Sequence, residues 1–457
     1  DVIRHITLVR PNLGLGLSND AMAPLVFAIL RALTPTQIVT HVIDERVEPF
    51  VPVETDLVAM TVETFTALRA WDLADWYREH GVRVVVGGHH PSMCPDEALH
   101  HADAVVIGDA EPVWAQVIAD AEMGALKSRY IGGMGIASDQ ELRFDRSVYG
   151  HRHYAPIELV QAGRGCRFAC DFCSIHAFYG TRRAMRRPAE IGAEVAGLPR
   201  RRMIFFVDDN LFWKREIFLE LMAVLAPLKR RWSCQITIDM ARDDSLMDEM
   251  ARAGCRLVII GFESLAPGNL RQMRKSWNGV AGSYASVVER ITRRGIMVYG
   301  SFLFGYDDDR LDAFAQTATF ANDCGLAIAN FNPLTPMPGT GLYDRLEREG
   351  RLLRPAWWID PEYRYGDAIF APKNMSAKSL RDGPIVARSQ FYALRSIATR
   401  TLRGLGPWGA ASTGLMLTAN LISRREIARK QGRRLSGSSA QPMPFLRASP
   451  NSEVSST

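Results

Sequence analysis

The chain has 457 residues, 47% hydrophobic and 23% charged, with a formal net charge of +5 and seven cysteines. That composition excludes a disordered, collagenous or disulfide-stapled small protein, and at roughly 100–200 residues per domain it allows several domains with cores of their own. The cysteine count is odd and three cysteines (166, 170 and 173) fall within eight residues, which suits a reducing cytoplasm better than a secreted disulfide framework.

The opening residues lack a charged-then-apolar targeting pattern, so the expected setting is cytoplasmic. Residues 1–126 alternate short β-branched runs (5–9, 38–43, 57–62, 83–86 and 104–107) with helical patterns at 65–80 and 111–121. This alternation predicts a doubly wound parallel sheet, a Rossmann-like α/β domain. Several strands run directly into small or polar residues, as at Gly87-Gly88-His89-His90 and Gly108-Asp109-Ala110-Glu111. In open α/β sheets such loops share the ligand-binding rim.

Residues 127–153 are polar and rich in Gly and Arg and read as a linker. Residues 154–343 carry six further strand candidates (157–160, 203–207, 233–238, 257–260, 297–302 and 328–332) separated by helical patterns, the signature of a partial (β/α)6 barrel. Residues 344–433 read as a helical, aromatic-rich C-terminal domain. The Ser/Gly/Pro-rich stretch 434–457 is predicted to be disordered.

The chemistry concentrates after the first barrel strand, where Cys166, Cys170 and Cys173 stand in a C-x3-C-x2-C pattern. Soft thiolates on one loop point to zinc or an iron–sulfur cluster. A closed zinc site needs a fourth ligand, for which His176 is a candidate. Three ligands alone leave one iron of a [4Fe–4S] cluster open. Cys234, Cys255 and Cys324 are isolated and read as core residues.

With Phe172 as the aromatic before the third cysteine, this loop resembles the defining motif of the radical SAM superfamily. The resemblance continues through Asp208-Asp209-Asn210 after the second strand, Gly261-Phe262-Glu263-Ser264 after the fourth and Thr335–Thr340 after the sixth. It implies a [4Fe–4S] cluster on Cys166, Cys170 and Cys173. It also implies S-adenosyl-L-methionine (SAM) held by Phe172, Asp208, Asp209 and Glu263. Asp209 and Asn210 have an alternative reading as helix caps.

The upstream domain resembles, in turn, the flavodoxin-like cobalamin-binding domain of class B radical SAM proteins. The resemblance implies cobalamin contacts at Thr61, Thr64, Gly87, Gly88, His89, His90, Gly108 and Glu111. No D-x-H-x-x-G motif is present, so His89 and His90 read as loop residues more than as cobalt ligands. The implied activity is a cobalamin-dependent radical SAM C-methyltransferase acting on a small, largely apolar metabolite. The alternatives are a cobalamin-assisted cyclase or rearrangement enzyme, and a non-catalytic corrinoid or Fe–S sensor.

Expected partners are the substrate and a one-electron donor such as flavodoxin or ferredoxin, with no nucleic acid. The stretch 385–435 holds ten Lys/Arg against one acid. It reads mainly as a solvated helical face, with peripheral membrane contact as the alternative. The uncharged stretch 404–423 is too rich in Gly and polar residues for a transmembrane helix.

Overall fold

The computed structural model describes residues 2–435 except 14–15, 19, 134–135, 137–141, 282 and 428–430. Two parallel sheets stand in series. The first contains β1 (His5–Arg10), β2 (Val39–Asp44), β3 (Leu57–Thr61), β4 (Arg83–Gly87), β5 (Ala104–Gly108) and β6 (Arg129–Gly133), in the order β2-β1-β3-β4-β5-β6. Its strands are continuous apolar runs because helices cover both faces: Val84, Val85 and Val86 are all buried. The covering helices include α1 (Leu25–Leu33), α2 (Ala67–Glu79), α3 (His89–Met93), α4 (Pro95–His101) and α5 (Trp114–Glu122). Strand order reverses between β1 and β3, the switch point at which such sheets open a crevice for ligand.

The second sheet contains β7 (Ile157–Val160), β10 (Met203–Phe206), β11 (Trp232–Ile236), β12 (Cys255–Glu263), β13 (Met297–Phe304) and β14 (Ile328–Pro333). Its order is β14-β13-β12-β11-β10-β7, all parallel. Strands thus neighbour one another in sequence order, as in an open half-barrel. A short antiparallel pair, β8 (Gly163–Arg164) and β9 (Ala184–Met185), lies beside it. The helices α6 (Ser174–Tyr179), α7 (Pro188–Gly197), α8 (Arg215–Leu225), α9 (Asp244–Arg252), α10 (Pro267–Gln272), α11 (Tyr284–Thr292) and α12 (Ala313–Asp323) connect its strands. Cys234 and Cys255 are fully buried within the core beneath these helices.

Three expectations need correction. The stretch read as a linker contains β6, an edge strand that pairs with β5; two glycines and a lone Tyr-Ile hide it in the sequence. The region 344–433 is not a separate helical body. After α13 (Gly341–Arg348) the chain returns to the first domain, where Trp357, Trp358 and Tyr363 join the core on the α2 side of the sheet. Only then do α14 (Ala377–Phe391) and α15 (Leu394–Glu426) follow, with α14 packed on α12 and β14. Finally, Arg434 bridges to Arg364 and Leu435 is buried, so the ordered chain runs past 434; residues 436–457 lie outside the described residues.

The basic C-terminal stretch is only partly a solvated face. Arg400 is 1% exposed. It donates to the carbonyls of Leu326, Ala327 and Phe391 and lies 3.7 Å over the Phe391 ring. Arg388 donates to Asn332 Oδ1, and Arg424 to the Tyr392 carbonyl. Arg388 and Arg400 lock α14 and α15 to the barrel, and Arg424 ties α15 to the end of α14. The uncharged stretch 404–423 falls inside α15, which Pro407 and the left-handed Gly409 (φ +73°) break in two. Among the described residues, no helix is long and apolar enough to cross a membrane.

Replacing Arg400 by Met removes three charge-assisted hydrogen bonds to buried carbonyls and should lower unfolding stability by about 2–4 kcal/mol. Replacing exposed Arg403 should change it by under about 0.5 kcal/mol. Urea denaturation of the two variants makes the comparison.

Candidate active site

The first barrel strand delivers the chain into the cysteine loop, and the neighbouring strand end holds it there. Asp208, just beyond β10, accepts the Ala162 N–H at 3.0 Å and the Gly163 N–H. Asp209 accepts the Gly165 N–H at 2.9 Å. Two consecutive carboxylates therefore fix the three backbone amides that lead to Cys166. Asp208 is 5% exposed, and burial pushes its carboxyl up to about 7.

Cys170 is buried, whereas Cys166 and Cys173 are half-buried. Burial raises all three thiols, that of Cys170 to about 12. Such thiols keep their protons at neutral pH until a metal displaces them. A cation stands ready beside them. Lys275 donates to Glu263 Oε1 at 2.7 Å and to the Gly261 carbonyl at 3.0 Å. Burial alone would lower this ammonium, but Glu263 and the Cys170 and Cys173 sulfurs raise it. Glu263 adopts φ +64°, a conformation unusual for a non-glycine residue. Phe168, inside the loop, stacks on Trp277 with centroids 3.7 Å apart.

Two cavities lie near this loop: one has Phe172 and Cys173 in its wall, and the other reaches Arg164, two residues before Cys166. A cavity of about 740 Å³ lies along β12–β14 under α15, and Phe172, Cys173, Glu263, Ser301, Tyr363 and Ile422 contribute to its wall. A second, of about 270 Å³, opens at the carboxyl ends of β3, β4 and β5. Apolar groups such as Ile29, Val85 and Val106 form its floor, and Gln161, Arg164, Phe178 and Tyr179 of the barrel close it. Its loops come close enough to need glycine. A Cβ on Gly88 (φ +108°) would lie 2.8 Å from the Val62 carbonyl oxygen, and one on Gly108 (φ +85°) 2.7 Å from that of Gly133.

Arg164 joins the two halves. Two residues before the first cysteine, it pairs with Asp109 at 2.8 Å and Glu111 at 2.6 Å, all three side chains being 7–8% exposed. Tyr179 adds a hydrogen bond to Asp109 at 2.8 Å. Burial would pull the Arg164 guanidinium down, but Glu111 and Asp109 more than offset it, and it stays charged.

The residues singled out in the sequence are distributed as follows. Thr61, Gly87, Gly88, His89, Gly108 and Glu111 line the smaller cavity; Thr64 and His90 do not. His89 stacks on Phe178 of the barrel. His90 turns away and meets Glu97 Oε1 at 3.0 Å, and Glu97 also accepts the indole N–H groups of Trp71 and Trp358. His90, Cys94 and Glu97 are close enough to share a metal ion, but this hydrogen bonding already uses both Glu97 oxygens. Phe172 and Glu263 reach the larger cavity, while Asp208 and Asp209 face the loop backbone. His176 Nδ1 meets the Gly180 carbonyl. Arg164, Asp109 and Lys275 carry no signal of their own in the sequence, although Asp109 lies within the Gly108-Asp109-Ala110-Glu111 segment at the end of β5.

Residues 160–321 match the family described as the Radical SAM superfamily. The half-barrel with its three-cysteine loop is a radical SAM domain. Over 408 residues the chain is 29% identical to bacteriochlorophyllide d C-12(1)-methyltransferase of Chlorobaculum tepidum, covering 86% of this chain and 88% of that one. Hopanoid C-2 methylase of Rhodopseudomonas palustris is 24% identical over 74% of this chain and 67% of its own. The fold is shared with the radical SAM methyltransferase TsrM from Kitasatospora setae, solved with cobalamin and a [4Fe–4S] cluster. That match has a TM-score of 0.63 at 16% identity and spans 93% of this chain and 99% of the other. Residues 160–321 thus carry the radical SAM match, and a Rossmann-like α/β domain stands ahead of them in the chain.

Two variants test the supports of the site. Arg164→Ala removes the cation from two buried carboxylates and should cost about 3–5 kcal/mol in denaturant unfolding; a loss under about 1 kcal/mol would contradict the joint. Because Asp208 titrates above an ordinary carboxyl, folding takes up its proton. The stability this confers is full at low pH and falls away as pH rises through about 7. Wild-type melting temperature should therefore drop more than that of Asp208→Asn between about pH 5 and about pH 8.

Proposed function

We propose that this protein is a cobalamin-dependent radical SAM C-methyltransferase acting on an unactivated carbon of a small, largely apolar metabolite. The observation that carries this reading is a loop of three thiols with Cys173 in the wall of one cavity and, two residues before Cys166, Arg164 in the wall of a second cavity in the other α/β half, where it pairs with Asp109 and Glu111. The relatives named for methylation of bacteriochlorophyllide and hopanoid carbons support the reaction type.

The residues present suit the cofactors. Cys166, Cys170 and Cys173 would hold a [4Fe–4S] cluster, with the Lys275 ammonium offsetting part of the thiolate charge. The glycine-walled cavity, with Thr61, His89 and Glu111 in its lining, would take the nucleotide tail of cobalamin. When bound, these groups and SAM supply a 5′-deoxyadenosyl radical and a transferable methyl group.

The protein's share is binding, orientation and exclusion of water. Glu263, fixed by Lys275, and Phe172 present a polar and an aromatic surface to SAM at the wall of the larger cavity. Asp208 and Asp209 act on SAM indirectly, by holding the loop backbone. Phe65, Tyr363 and Tyr365 wall the same cavity on the side of the first domain and give an apolar substrate a dry surface. The setting is expected to be cytoplasmic.

The test is anaerobic turnover of the reconstituted protein with SAM, cobalamin, dithionite and candidate substrates, beginning with chlorins and polycyclic terpenoids. The expected result is 5′-deoxyadenosine together with a product heavier by one CH2 unit. Replacing Cys170 by Ala should abolish both. Deoxyadenosine with a product of unchanged carbon count would favour a cyclase or rearrangement enzyme, and none at all would favour a binding protein.

A further inference from the structure

The cysteine loop has an inner and an outer side. Cys173 lines the large cavity, where the proposed function places SAM and substrate. Cys166 lines a separate outer groove with Arg167, Arg183, Met185, Phe212 and Trp213. If the inner side is filled during turnover, an electron for the cluster has to enter from the outer one.

That outer side is built of cations laid on aromatic rings. The Arg167 guanidinium lies 4.7 Å over Phe168 and 5.8 Å over Phe212 and also pairs with Asp239. Arg183 lies 5.7 Å over Trp213, and Lys214 reaches the same ring at 5.6 Å. Arg167, Arg182 and Lys214 are exposed. Arg182 spends its Nε–H on the Tyr179 carbonyl. Neither Arg183 nor Lys214 makes an ion pair among the described residues. Stacking restricts these long side chains, so less entropy is lost when an anionic partner meets them.

We propose that the groove beside Cys166, carrying Arg167, Arg183 and Lys214, is the docking surface for a small acidic protein that delivers one electron to the cluster. The proposal rests on the radical SAM reading above. The transfer is simple in its balance. One electron leaves the reduced flavin or iron–sulfur centre of the donor, which is oxidised by one electron, and the cluster is reduced by one; no bond or proton moves. Opposite charge on the two faces raises the encounter rate and makes it sensitive to salt.

The experiment compares wild-type holoenzyme with Lys214→Glu and Arg183→Glu, each supplied either with flavodoxin and its reductase or with dithionite. Binding of flavodoxin is titrated separately by interferometry at low and high salt. The expected result is roughly tenfold weaker flavodoxin binding and a matching rise in the KM for flavodoxin. Dithionite-driven deoxyadenosine formation should stay within about twofold of wild type, and high salt should remove the binding difference. Flavodoxin binding and KM unchanged in both variants would overturn the docking surface. A wild-type holoenzyme that gives no deoxyadenosine with dithionite would overturn the functional reading instead, and the binding titration would still decide the surface.

Discussion

The arrangement of this protein depends on one buried cation. Arg164 sits two residues before the first cysteine and reaches into the first domain, where Asp109 and Glu111 bracket it. An arginine suits the task because its planar fork serves two carboxylates at once and is less costly to desolvate than an ammonium. The pairing sets where the carboxyl ends of two sheets stand relative to each other. Together with the Tyr179–Asp109 hydrogen bond and the His89–Phe178 stack, it sets the glycine-walled cavity against the barrel residues Gln161, Phe178 and Tyr179.

The same economy appears on the barrel side. A loop rich in glycine has little intrinsic order, and the protein supplies that order from the next strand: Asp208 and Asp209 accept its amides. Lys275 then places a positive charge where three thiolates would otherwise repel. Farther out, the C-terminal region closes the larger cavity and is held at two points of different chemistry. Trp357 and Trp358 enter the first domain's core, where Glu97 accepts the Trp358 indole N–H. Arg400 enters the barrel's edge and satisfies carbonyls of the chain leading into β14. Polar groups are buried in each case, and in each they have partners.

How legible this was depends on the range of the interactions. The three-cysteine loop is a local pattern and could be read directly, as could the barrel strands, because parallel strands buried on both faces read as apolar runs. The strand β6 could not, since Arg129–Gly133 offers only a Tyr-Ile pair between an arginine and two glycines. Nor could α3 and α4, whose residues include two prolines and four histidines and carry no apolar period. The joints were invisible for a different reason. Arg164 and Glu111 are 53 residues apart and Trp358 and Glu97 are 261 apart, and a charged residue such as Arg400 reads as solvated until the carbonyls around it are known. Among the site residues, the glycines of the β4 and β5 loops stood out because strands that run straight into glycine mark a close turn, whereas Glu263 was legible only through the family resemblance of its Gly-Phe-Glu-Ser segment. Lys275 left none, being one lysine among many.

The central claim is that one chain holds an iron–sulfur cluster and a corrinoid side by side. Anaerobic purification followed by iron, sulfide and cobalt analysis, with ultraviolet–visible spectra, tests it most directly. The account predicts iron and sulfide in the ratio of a [4Fe–4S] cluster, lost when Cys166, Cys170 or Cys173 is replaced, and one corrinoid per chain. Zinc without sulfide, or an intact cluster in a protein that takes up no corrinoid, would contradict it.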